Sequence, residues 1–149
     1  MLQKHPVSVG ISISILLLIL STFYYPGGSQ WDKNAIGFDW GNNYLCNLFN
    51  EKAINGLDNP ARYWAIGGML FLCASFTLFF VRFSKKIPTK KEANIIQYSG
   101  MGAMFSAFLV ITPYHDVMTI FASTLGLLTL IGWLLGLEYM ATKDDFIKK

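Results

Sequence analysis

Long uncharged apolar stretches alternate with short polar ones along this chain. Four blocks, 7–25, 63–81, 93–113 and 117–137, carry no charged residue apart from their borders. Each is close to the ~20 residues that cross ~30 Å of hydrocarbon at 1.5 Å per residue. Lipid offers free backbone groups no partners, so helix is the economical conformation for each block. The pattern predicts an all-α integral membrane protein. It would be a four-helix transmembrane bundle forming one domain over 1–149, with helices over about 7–25, 63–81, 93–113 and 117–140.

One long connection interrupts the blocks, from Pro26 to Arg62. Pro26-Gly27-Gly28-Ser29, Asn55-Gly56 and Asn59-Pro60 are turn signals within it. Between them, Trp40, Tyr44, Leu45, Leu48 and Phe49 recur at helical spacing, with Asn43, Asn47 and Asn50 on another face. That spacing predicts a short amphipathic helix lying on the membrane surface between helices 1 and 2.

Composition strengthens the reading. Hydrophobic residues make up 53% of the 149 and charged residues 14%, where soluble domains carry roughly 25% charged. A core of this size cannot hide so much apolar surface from water. The net charge of +3 is modest and its cations sit between apolar blocks. That arrangement speaks for membrane topology and against nucleic acid as a partner. Lys4, Arg82, Lys85, Lys86, Lys90, Lys91, Lys143, Lys148 and Lys149 would lie on one side, and Lys33, Lys52 and Arg62 on the other. The positive-inside rule then places both termini inside. Lys4 and the first apolar block would also suit a signal peptide, but Phe23-Tyr24-Tyr25-Pro26 offers no small-x-small cleavage site. With no glycosylation acceptor and no large soluble domain, a bacterial inner membrane is the expected location.

Packing faces are legible as small residues, because helices in lipid associate through close contact and side-chain hydrogen bonds. Ser8 and Ser12 are four apart in helix 1, with Gly10 and Ser14 nearby. Helix 3 carries Ser99, Gly100, Gly102, Ala103 and Ser106, and helix 4 carries Gly132 and Gly136. The last pair is a G-x-x-x-G, expected to serve internal packing ahead of dimerisation. Asn94 and Gln97 would bond a neighbouring helix or reach inner headgroups.

Candidate chemistry is sparse. No ionisable residue lies deep in a spanning block, which removes the usual equipment of a pump. His115, Asp116 and Asp39 are the candidate catalytic set, a histidine beside carboxylates at the outer face. The structural alternative has Asp116 capping helix 4 and His115 solvated in the Pro113–Asp116 turn. His5 and His115 fall at opposite ends and cannot share a haem. No metal or cofactor motif is present, and none is expected to bind. Cys46 and Cys73 should differ in membrane depth, so no disulfide is expected. Arg82, Lys85, Lys86, Lys90 and Lys91 form a basic inner loop suited to anionic lipid headgroups.

The order of features resembles the first four helices of the DRAM/Frag-type membrane proteins and their bacterial relatives. The likeness rests on the loop stretch Tyr44-Leu45-Cys46-Asn47-Leu48, on Pro60-Ala61-Arg62 opening helix 2, on the basic inner loop, and on Pro113 to Asp116. Those relatives carry an Ile-Ser-Asp-Leu/Thr-Gly-like stretch in the loop and usually six helices. The resemblance implies a fold and no activity. The favoured functional expectation is a non-enzymatic accessory, scaffold or lipid-interacting protein, with membrane lipids and other membrane proteins or a second copy as partners. The alternatives are a membrane-embedded enzyme around His115 and a small transporter or channel.

Overall fold

The computed structural model describes residues 5–147, with side chains described for 5–139. It is all-helical. The four α-helices are α1 (Pro6–Phe23), α2 (Ala61–Ser84), α3 (Lys90–Leu109) and α4 (His115–Ile147). No strand occurs among the described residues. Two isolated antiparallel bridges, Gly27 with Ile36 and Lys52 with Asp58, are the nearest approach to one. Three helical segments are long and apolar enough to cross a membrane: α1, α2 and His115–Tyr139 of α4.

α3 is not among them. Its uncharged stretch was expected to run to Pro113, but the helix closes at Leu109. Proline disfavours helical backbone at the residue before it. Thr112 precedes Pro113, and its hydroxyl turns back to the Leu109 carbonyl at 2.6 Å. At the other end α3 begins at Lys90, so Lys90, Lys91 and Glu92 occupy its first turn. α2 and α4 also reach past their uncharged blocks, whereas α1 closes at Phe23, two residues short. α2 takes in Arg62 and Arg82, because helix propagation answers to backbone hydrogen bonding and not to charge.

The chain divides into two compact units, Met1–Leu72 and Cys73–Lys149. In the first, α1 and the start of α2 run antiparallel. Tyr24 stacks on Trp64 at 5.8 Å, and Gly68 meets Leu18 and the Ser14 carbonyl. A Cβ on Gly68 would stand 2.9 Å from Leu18, so only glycine admits this approach. The buried face of α1 is Gly10, Ser14, Ser21 and Thr22, whereas Ser8 and Ser12 are exposed. The small-residue face is therefore displaced from the Ser8/Ser12 pair to the Gly10/Ser14 pair.

The long connection folds on itself. Leu48 is fully buried among Tyr25, Ala53, Ala61 and Ala65, with Leu18, Phe38 and Phe49 packed around them. The expected amphipathic helix over 40–53 is reduced to a single 3-10 turn, Leu45–Phe49. Asp39 accepts from the Gly41 amide and the Asn42 side chain, which ends any helix there before it starts. The Asn59 amide group donates to the carbonyls of Asn47, Leu48 and Asn50, which stay available because no α-helix uses them. Asn55-Gly56 closes a small hairpin, with Gly56 at φ 86° and the Ala53 amide donating to Leu57 at 2.9 Å.

In the second unit α3 packs along α4. Ser99 and Thr129 join them by a hydroxyl–hydroxyl bond of 2.7 Å. Gly132 faces Ile95 and Ile96, Gly136 faces Ile87, Gly102 faces Leu125 and Gly100 faces Phe80. Each glycine removes a side chain where a neighbour comes close.

Candidate functional site

The second unit holds an apolar groove of about 310 Å³. It lies among the last turns of α2, the middle of α3 and the middle of α4. Phe79, Phe80 and Phe83 form one wall, Ile96 and Met104 another, and Gly126 and Trp133 a third. Phe76, Phe79, Phe80 and Phe83 recur at i, i+3, i+4 and i+7, the spacing of a single helix face. Phe79 stacks on Phe83 at 5.5 Å and meets Phe80 edge-on at 5.4 Å, so the aromatic wall is fixed by its own contacts. Gly126 leaves the opposite side open: a Cβ there would meet nothing within 4 Å. Thr129 also lines the groove. Its hydroxyl is committed to the Leu125 carbonyl and to Ser99, so the walls offer a ligand little to hydrogen-bond.

The basic residues follow directly on the aromatic wall. Arg82, Lys85, Lys86, Lys90 and Lys91 are all exposed. Ile87 is buried between them and fixes the loop by packing against Gly136. Gln97 accepts a hydrogen bond from Ser84 at 3.2 Å, which ties α3 to the end of α2, while Asn94 is exposed. Of the two amides, one therefore bonds a neighbouring helix and the other faces outward. Lys4, Lys148 and Lys149 lie outside the described residues, and the Lys143 side chain lies outside the described side chains.

The candidate catalytic residues form a looser picture. His115 Nδ1 and Asp116 Oδ1 are 3.1 Å apart, and the Asp116 carboxylate is almost fully exposed. α4 begins at His115, so Asp116 lies inside its first turn and does not cap the helix as expected. It still faces the positive end of the helix dipole. Asp39 belongs to the first unit and is engaged locally. The Asn42 amide, then the Gly41 N–H, hold its carboxyl below the ordinary value.

The polar surface near the start of α2 is lined by Glu51, Asp58, Asn59 and Arg62. Lys52 pairs with Asp58 at 2.7 Å and Arg62 with Glu51 at 2.8 Å, so both carboxylates are matched by cations. The hydrogen bond and charge of Lys52 hold the Asp58 carboxyl below its ordinary value. Among the described residues no cluster of three or more His, Cys, Asp or Glu is arranged to hold a metal. Neither Cys46 nor Cys73 forms a disulfide.

The reading from sequence missed the groove and the role of Asn59. The phenylalanine stripe was visible in the sequence. Its partner Trp133 stands 50 residues further along and joins it only through the packing of α4. No family model, curated protein or solved structure matches this chain.

Proposed function

We propose that this is a small multi-pass membrane protein without catalytic activity, whose α-helices cross the bilayer four times and whose basic loop engages anionic lipid. Both termini lie inside. The outer connection forms a folded cap over the entry to the bilayer, and the cationic loop between α2 and α3 sits at the inner headgroups. Membrane lipids are its partners, and it serves as an accessory or lipid-interacting component of a bacterial inner membrane.

One observation carries this reading: the large apolar side chains of the helices point away from the protein. Leu16 is 67% exposed, Phe23 79%, Ile120 66% and Leu127 62%. Apolar patches on soluble monomers rarely exceed a few hundred Å², whereas these run along whole helices and exclude charge. α3 supplies the fourth crossing because it packs along α4 on one face and exposes Tyr98 and Phe105 elsewhere. Its Ser and Gly content, too polar for a lone span, suits that packed face.

Two measurements test the reading. The expressed protein should resist alkaline carbonate extraction. Reporter fusions at Ile36 and Pro88 should register on opposite sides, with Pro88 inside. Recovery of a dispersed, folded protein without detergent would overturn the proposal.

A further inference from the structure

The groove beside the basic loop has the shape and chemistry of a seat for one acyl chain. We infer that it holds an anionic phospholipid of the inner leaflet, with a chain between the phenylalanine wall and Gly126 and the phosphate at the basic loop. This rests on the membrane reading above and goes further, because it names the lipid class and where the chain lies.

Three features agree. The groove is walled by hydrocarbon and aromatic rings, and its Thr129 hydroxyl is already bonded to Ser99 and Leu125. It therefore selects a chain with nothing polar along it. Its volume of about 310 Å³ lies at the small end of ligand sites, which run from ~300 to 1,000 Å³. A single chain suits it better than a ring system bearing polar groups. Charge decides the headgroup. Phe83 lines the groove, and Arg82 precedes it while Lys85 and Lys86 follow within three residues. Lys90 and Lys91 stand within two turns of Ile96 on the far wall. All five cations are exposed, and Glu92, beside Lys91 in the first turn of α3, is the carboxylate next to them in the chain. A chain seated here brings its phosphate to the strongly cationic segment 82–91. A second transmembrane helix would fill the groove but would leave those cations unmatched.

The full chain carrying Trp133 as its sole tryptophan (Trp31, Trp40 and Trp64→Phe) is reconstituted in phosphatidylcholine vesicles. Chain-brominated phosphatidylglycerol or chain-brominated phosphatidylcholine is then titrated in, since bromine quenches an indole on contact. Trp133 should be quenched at a mole fraction of the anionic lipid at least fivefold lower than of the zwitterionic one. Arg82→Gln and Lys85→Gln should each reduce that preference by about fivefold or less, as expected for one cation at a lipid surface. Gly126→Leu places a side chain in open space and should remove the preference without lowering the thermal melt. Met104→Phe fills the groove from α3 and should do the same should Gly126→Leu melt early.

Equal quenching by both lipids, indifferent to the groove-filling variants, would overturn the inference and leave Trp133 merely facing bulk lipid. Protection of Trp133 from both lipids in carbonate-resistant protein would overturn it too and give the groove to a protein helix. A protein that never enters the vesicles would instead bring down the membrane reading itself.

Discussion

Asn59 shows how one side chain can hold an irregular segment. It is 4% exposed and its amide group reaches three backbone carbonyls, the nearest at 2.9 Å. Buried carbonyls without partners cost about 1–3 kcal/mol. Asn59→Ala is therefore expected to destabilise the long connection by about 2–3 kcal/mol, read as faster proteolysis between Trp31 and Leu57. Asn59→Asp should be worse, because it turns an acceptor toward three acceptors. The sequence displayed this residue only as half of a turn signal, Asn59-Pro60. Its partners lie 9 to 12 positions earlier, and no local pattern announces such a reach. His115 belongs to the same scale. Its ring meets Asp116 at the exposed start of α4, a place with ample solvent to stabilise either residue. His115→Ala should change neither expression nor melting by more than the ±0.5 kcal/mol typical of surface substitutions.

Among the elements, α4 allows two glycines to be set against each other. A Cβ on Gly132 would lie 2.8 Å from Ile95, while one on Gly126 would meet nothing. Gly132→Leu should cost about 1–3 kcal/mol through overpacking. Gly126→Ala should raise stability by about 0.5–1 kcal/mol, since helical glycine gives up entropy without gaining contact. Melting of both variants in one detergent decides this. Both glycines were visible as small residues, but the sequence could not say which faced a neighbour. The long connection between α1 and α2 responds instead to pH. Asp39 and Asp58 both have carboxyls held below the ordinary 3.8, by the Asn42 and Gly41 donors and by Lys52. A lowered folded pKa stabilises the fold above the unfolded pKa and is lost as pH falls through the folded value. Protection of the connection from proteolysis should hold steady above about pH 5 and decline below about pH 4. Asp39→Asn with Asp58→Asn should flatten that decline.

At the scale of the whole molecule, the proposed orientation rests on charge. If the basic loop acts as proposed, replacing Arg82, Lys85, Lys86, Lys90 and Lys91 with Gln should mix or invert the topology, and the Ile36 and Pro88 reporters would record it. Replacing Lys33 and Lys52 should leave it unchanged. The sequence determined the kind of solvent this chain suits, because length, apolarity and the exclusion of charge are local properties of each block. It determined for the same reason that four helices form and roughly where. What it could not determine was the interior of the long connection, where Asp39 and Asn59 draw the backbone into turns in place of the expected amphipathic helix. Nor could it reveal that α3 begins at Lys90 and closes at Leu109, or that a phenylalanine stripe and a distant tryptophan enclose a groove. Those features depend on which residues meet across long loops. Such meetings are decided by tertiary packing, since no periodicity within a single helix encodes its neighbour.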